Sequence, residues 1–140
     1  MADRLTPAER SAQMRLIRKR DTSPELVVRR MVHALGFRFR LHLPNLPGTP
    51  DIILPRHRKA ILVHGCFWHQ HEGCKLARQP KSRLDYWLPK LARNVARDRE
   101  TRAALELAGW SCLVVWECET KDPEKLRLIL RGFLFSSEPG

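Results

Sequence analysis

The stretch Asp51-Ile52-Ile53-Leu54-Pro55-Arg56-His57-Arg58-Lys59-Ala60-Ile61-Leu62-Val63-His64 decides the fold. Residues 51–54 read as a short strand and residues 60–63 as a buried one, each a brief apolar run. Pro55-Arg56-His57-Arg58 reads as the turn between them, and strands this close in sequence pair as a hairpin. Upstream, residues 44–50 are loop, rich in Pro and Gly. Phe37, Phe39 and Leu41 alternate with Arg38, Arg40 and His42, the period of a half-buried strand. Thr22-Ser23-Pro24-Glu25 is a helix start, followed at helical spacing by Val27, Val28, Met31, Val32 and Leu35, with Gly36 as the stop. Thr6-Pro7-Ala8-Glu9 carries the same start signal for a helix to about residue 20. Downstream, a charged helix is expected over 90–108, a strongly apolar strand over 110–116, and a last helix from Asp122-Pro123-Glu124 that turns Leu126, Ile129, Leu130 and Phe133 inward. The order α-α-β-β-β-α-β-α defines an α/β protein, a mixed sheet with helices on its faces.

The chain has 140 residues, which suits a single domain over 1–140. A basic N-terminal helix or arm occupies 1–20, and an irregular loop dense in Cys, His and aromatics occupies 64–80. Its longest apolar runs, 60–63 and 112–116, are far too short to span a bilayer. The first residues, MADRLTPAERSAQ, contain no apolar segment of a secretory signal. A soluble intracellular protein is expected, so its four cysteines favour a metal site over disulfides.

The net charge is +11, and it is concentrated. Residues 1–20 hold six basic and two acidic residues, net +4, and residues 75–102 hold nine basic and three acidic, net +6. Clustered cations of this kind attract a phosphate backbone by counterion release. A generally basic surface gives the same count without any partner.

The segment His64-Gly65-Cys66-Phe67-Trp68-His69-Gln70-His71-Glu72-Gly73-Cys74 places two Cys and three His in eleven positions. Structural zinc takes four tetrahedral nitrogen or sulfur ligands. Cys66 and Cys74 supply two, His69 or His71 a third, and Cys118, after the strand over 110–116, is the natural fourth. Cys112 lies within that strand and reads as core. Residues 112 and 118 share a face of an ideal strand, so Cys118 requires a break after Trp116.

Asp51 opens a strand beside a Gly/Pro-rich loop, a place where a carboxylate can hold Mg²⁺. Many nucleases begin the pattern PD…(D/E)xK there, but the second strand here, KAILVHG, has no acidic residue. His64 and His69 follow closely, and an imidazole takes a proton from water at neutral pH. Glu25 can reach such a site through the fold, although helix capping alone explains its position. His33, His42 and His57 have no motif around them and read as surface or packing residues. Phe67-Trp68 and Tyr86-Trp87 are aromatics set among cations, a pattern that wedges between base steps or stacks on exposed bases. Core packing is the competing explanation.

Five stretches together resemble one family: QMRLIRKRDTSPE (13–25), LPGTPDIILP (46–55), ILVHGCFWHQHEGC (61–74), YWLPKLARNVARDRE (86–100) and GWSCLVVWEC (109–118). They are similar to the very short patch repair (Vsr) endonucleases, with HGCFWH and VWEC the most specific segments. The resemblance implies a restriction-endonuclease-like α/β fold with a structural zinc loop and a Mg²⁺ centre. It implies an enzyme that nicks DNA 5′ of the thymine in a T:G mismatch left by deamination of 5-methylcytosine. Residue by residue, it implies Asp51 and the Val63 carbonyl as Mg²⁺ ligands, His69 as general base, and Glu25 and His64 as supports. Cys66, His71, Cys74 and Cys118 would hold Zn²⁺, Phe67, Trp68 and Trp87 would form the wedge, and Lys90, Asn94, Arg97 and Arg99 would face DNA. One residue more separates His71 from Cys74 than in the family pattern, so a reshaped loop is expected. The implied partners are double-stranded DNA, a DNA cytosine methyltransferase acting on the same sequence, and mismatch-repair proteins. The implied setting is a monomer in the bacterial cytoplasm, at the nucleoid when acting. Two rival readings are a nuclease of the same fold with other specificity, and a zinc-stabilised DNA-binding module without catalysis.

Overall fold

A computed structural model describes residues 22–43, 45–77 and 80–136. The expected helix over 6–20 lies outside them. Six main elements follow in order: α1 (Ser23–Ala34), β1 (Ile52–Leu54), β2 (Lys59–His64), α2 (Leu84–Leu107), β3 (Ser111–Trp116) and α3 (Pro123–Leu134). The sheet runs β1-β2-β3. β1 and β2 are antiparallel in register Ile52↔Ile61, and β2 and β3 are parallel from Lys59↔Ser111 to His64↔Trp116. A parallel pair needs a long crossover, and α2 supplies it.

The hairpin turn is tight because Pro55 opens a 3₁₀ turn and Arg58 closes it in the left-handed region (φ 50°). The Arg58 guanidinium then donates to Ala108 O at 2.8 Å and Gly109 O at 3.4 Å. The hairpin is thereby tied to the end of the crossover helix.

Each face of the sheet buries a different helix set. Val28 and Val32 of α1 and Leu126, Leu130 and Leu134 of α3 pack with Ile52, Leu54, Ile61 and Val115. On the opposite face, Ala60 and Leu62 meet Leu105 of α2, with Cys112, Val114 and Trp110 alongside. Cys112 is therefore core-facing, as its place in the strand requires. Alternation along β2 sends odd and even residues to opposite faces, and both faces are covered, so the strand reads as continuously apolar.

Two elements differ from the sequence expectation. Residues 37–41 form no strand; a single bridge, Arg40↔Ile53, is all that pairs. Phe37 and Phe39 still pack on the core. The ladder stops because β1 offers three residues and His42 turns into the left-handed region at φ 48°. The long helix begins at Leu84, not at residue 90, and carries Pro89 within it. Proline inside a helix loses one backbone hydrogen bond, which is why the sequence suggested a later start.

Lys59 is 1% exposed. Its Nζ donates to the carbonyls of Phe133, Leu134 and Ser136 at 2.8, 3.1 and 3.1 Å. The first strand residue of β2 thus caps the carbonyl end of α3 with a positive charge, where the helix dipole favours it. Lys59→Met should lower stability by about 1–3 kcal/mol, because the buried Leu134 carbonyl then loses its charged donor. Urea unfolding measures this, and a neutral result would remove Lys59 as the clamp between sheet and helix.

Candidate active site and metal-ligating cluster

Asp51 stands at the entry to β1, and its Oδ2 accepts from the Val63 N–H at 2.6 Å. The antiparallel register makes this contact: residues just before Ile52 face residues just after Ile61. Glu25 approaches from α1. Its backbone N–H donates to the Thr22 hydroxyl at 3.4 Å, so the capping reading is correct for the backbone. Its carboxylate does something else, being buried within 4.8 Å of the Asp51 carboxylate. Arg29 Nη2 donates to Glu25 Oε2 at 3.1 Å, and His42 Nε2 lies 3.7 Å from the same oxygen. Burial pushes the Asp51 carboxyl up to about 7, opposed by the Val63 N–H and reinforced by the neighbouring Glu25. By sequence, His42 reads as a surface or packing residue. It instead joins Glu25 and Asp51 in a group whose ligand atoms lie within 4.8 Å of one another.

A second group begins at the next residue of β2. His64 is 6% exposed and stacks on His69, with ring centroids 3.9 Å apart at 8°. His69 Nδ1 lies 2.7 Å from Asp98 Oδ2, and His64 Nε2 lies 3.9 Å from Asp98 Oδ1. Burial lowers the His64 pKa to about 4, helped by His69 and opposed by Asp98. With Asp98 accepting at Nδ1, the lone pair of His69 sits on Nε2, the arrangement of a general base held by a carboxylate. Asp98 was missed by the sequence reading. The only signal was an acid inside a strongly basic helix. Arg99 and Arg102 join His64, His69 and Asp98 in lining an open cleft of about 460 Å³.

The third group is Cys66, His71, Cys74 and Cys118, again with ligand atoms within 4.8 Å. His71, not His69, faces the sulfurs: its Nδ1 lies 3.7 Å from Cys66 Sγ and 3.5 Å from Cys118 Sγ. A tetrahedral zinc with its usual bond lengths separates a sulfur from a nitrogen ligand by about 3.6 Å. The donor set therefore fits that ion. The break needed to bring Cys118 there is a 3₁₀ turn, Glu117–Lys121, directly after β3. Just before Cys74, Gly73 takes the left-handed region at φ 68°. Burial and the neighbouring sulfurs push the Cys66 thiol up to about 12, and burial raises Cys118 as well, whereas backbone donors lower Cys74. His71 stacks on Trp116 at 4.1 Å and 7°, which links this group to β3.

Phe67, Trp68 and Trp87 form one aromatic group, with centroids 5.3 to 5.8 Å apart, and none is fully buried. Lys90 Nζ lies 5.5 Å over the Trp68 ring, within cation–π range. Asn94 donates to the Trp68 carbonyl at 3.1 Å, so its amide holds the aromatic loop on α2. Arg97 and Arg99 are exposed on the same helix.

Paired carboxylates, one buried and one half-buried, a histidine–aspartate pair and a Cys/His cluster at one end of a small mixed α/β sheet define a nuclease-like enzyme. The family model for the DNA mismatch endonuclease Vsr matches residues 2–75. The chain is 51% identical over 134 residues to the type II nicking enzyme V.XorIIP of Xanthomonas oryzae, covering 96% of this chain and 98% of that one. It is 42% identical over 126 residues to the DNA mismatch endonuclease Vsr of Escherichia coli, covering 90% and 80%. It is 38% identical over 135 residues to the type II nicking enzyme V.NmeAIP of Neisseria meningitidis, covering 94% and 96%. The chain belongs to the Vsr DNA mismatch endonuclease family, and it is a DNA endonuclease.

The raised Asp51 carboxyl has a consequence for stability. It releases its proton near pH 7 when folded and near 3.8 when unfolded. Between those values the folded state holds the extra proton, so the contribution present at low pH is lost as pH rises toward 7. Asp51→Asn should therefore melt higher than wild type by a margin that grows from pH 4 to pH 8, reaching a few degrees. Melting of the zinc-loaded protein without added Mg²⁺ measures it, and a margin that shrinks with pH would refute the burial account.

Proposed function

We propose that this enzyme nicks one DNA strand 5′ of the thymine in a T:G mismatch, the product of 5-methylcytosine deamination, and so begins very short patch repair. The observation that carries the reading is the half-buried Asp51, held beside Glu25 by the N–H of Val63, the β2 residue next to His64 of the His64–His69–Asp98 group. Asp51 and the Val63 carbonyl are the residues that would hold Mg²⁺, with Glu25 in support. When bound there, Mg²⁺ supplies charge that stabilises the phosphate and the leaving oxygen.

His69, oriented through Nδ1 by Asp98, takes a proton from water at Nε2. Water attacks phosphorus in line, the P–O3′ bond breaks, and the products are a 5′-phosphate and a 3′-hydroxyl. His64, held neutral by burial, stacks on His69 and keeps its ring in place. Cys66, His71, Cys74 and Cys118 would hold a structural Zn²⁺ whose binding energy is folding energy for this loop. Phe67, Trp68 and Trp87 insert at the mismatch, with Asn94 positioning the Trp68 backbone. Lys90, Arg97 and Arg99 contact phosphates.

In this reading residues 1–140 act as one domain and as a monomer, since one strand is cut. The enzyme works in the cytoplasm at the nucleoid. Its functional links are to a DNA cytosine methyltransferase that shares its sequence and to mismatch-repair proteins.

A labelled duplex with one T:G mismatch in a deaminated methyltransferase site, and its T:A control, tests the reading. With Mg²⁺, only the mismatched duplex should be nicked, on the thymine strand, and Asp51→Ala should lose at least about 10³-fold in rate while staying folded. Equal cleavage of both duplexes would favour a nuclease of other specificity, and binding without cleavage a zinc-stabilised binding module. Cys118→Ser should lose zinc and thermal stability together; a zinc-replete, fully stable variant would remove Cys118 from the ligand set.

A further inference from the structure

Two neighbouring strands each end in a ring. His64 and Trp116 are partners on the last rung of the parallel β2–β3 ladder. Paired residues of a ladder share a face, so both side chains lie on the α2 side of the sheet, as Ala60, Leu62, Cys112 and Val114 do. Their rings meet edge to face, with centroids 5.3 Å apart at 78°. The loop after β2 then lays one imidazole on each of them. His69 stacks on His64 at 3.9 Å and 8°, and His71 stacks on Trp116 at 4.1 Å and 7°. His71, Trp116, His64 and His69 thus form an unbroken series of rings from the Cys/His cluster to the histidine that Asp98 orients.

Trp116 is the fixed member of the series. Its backbone N–H donates to Glu119 Oε1 at 2.8 Å, within the 3₁₀ turn that carries Cys118. Its side chain is half-buried in the wall of the cleft that also holds His64, His69 and His71. His64 depends on its ring contacts. Its Nδ1 is buried with no hydrogen-bond partner among the described residues, and its Nε2 is 3.9 Å from Asp98, too far for a hydrogen bond. Faces and edges of neighbouring rings are what hold that imidazole under His69. On the other side of Trp116, His71 turns its Nδ1 to the sulfurs. An imidazole that gives this nitrogen to a cation becomes electron-poor, and an electron-poor ring is drawn to the face of an indole.

We propose that Trp116 is a positioning residue that ties the seating of the Cys66–His71–Cys74–Cys118 cluster to the orientation of His69, so that the cluster governs turnover as well as stability. The inference rests on the reading of His69 as the base that takes a proton from water. Trp116 touches neither substrate nor metal in this role. It supplies one rigid surface on which His71 is seated and against which His64 is braced, and His64 carries the face of His69. With the cluster formed but the indole removed, His71 stays among the sulfurs while His69 is free to tilt. A tilted base costs rate rather than DNA affinity.

Nicking of the T:G duplex by the zinc-loaded full chain with Mg²⁺ tests this, with zinc per chain measured on the same samples. Trp116→Leu should keep its zinc and the wild-type KM, and lose about tenfold or more in kcat. Trp116→Phe, which restores a flat ring, should return kcat to within about threefold of wild type. An unchanged kcat per zinc-loaded molecule in Trp116→Leu, with or without a lower melting temperature, marks a merely structural tryptophan and overturns the inference. A Phe variant no better than Leu overturns it too, and both results leave the His69 reading intact. His69→Ala that nicks at the wild-type rate overturns the His69 reading and the inference with it. Should Trp116→Leu fail to fold, nuclear Overhauser cross-peaks from the Trp116 ring to the His71 and His64 rings of the zinc-loaded wild type support the inference, and their absence overturns it.

Discussion

The hydrogen bond from the Val63 N–H to Asp51 Oδ2, 2.6 Å long, is the contact on which the rest of the site depends. It exists because the β1–β2 hairpin holds one register, Ile52 opposite Ile61. A slip by one residue would exchange the two faces of each strand. Ile52, Leu54 and Ile61 would leave the α1/α3 core, and Asp51 would lose its donor. Apolar burial thus fixes the register, and the register aims the carboxylate. The strand that donates to Asp51 ends in His64, so both polar groups hang from one short element.

That placement has a cost. Burial raises the Asp51 carboxyl to about 7 and lowers the His64 imidazole to about 4, so each is held in an environment that opposes its charged form. Groups tuned this way cluster at sites of chemistry. The fold offsets the cost elsewhere, with two packed sheet faces and with the Lys59 ammonium tying β2 to the end of α3. The Cys/His cluster has the same logic. Burial raises the Cys66 thiol, so Cys66 too is held where its charged form is opposed.

Much of the fold was legible. The hairpin and the capped helices that start at residues 23 and 123 follow from local chemistry that acts within a few residues, and the break after Trp116 from the need to turn Cys118 off the strand face. The failures were tertiary. Phe37 and Phe39 alternate like a strand and do pack on the core, yet their segment pairs only once because His42 turns away. The long helix starts before Pro89 because loop and aromatic contacts hold its first turns in spite of the missing N–H.

The sequence by itself determined the chemistry available: an acid at a strand entry, imidazoles and thiols packed into one loop, and a basic helix beyond it. Spacing was enough for this, since residues a few positions apart cannot be far apart in space. Spacing alone left His69 and His71 interchangeable; the family resemblance divided them, and the tertiary structure gives each its partners. It set His71 among the sulfurs and His69 on Asp98, residues 29 positions apart. It brought Glu25, Arg29 and His42 to Asp51, although no motif surrounds His42. The reason is physical: hydrophobic burial of α1 and α2 on opposite sheet faces is non-directional and long-range in sequence. Which polar residues of those helices meet the strand ends is therefore a property of the packed whole.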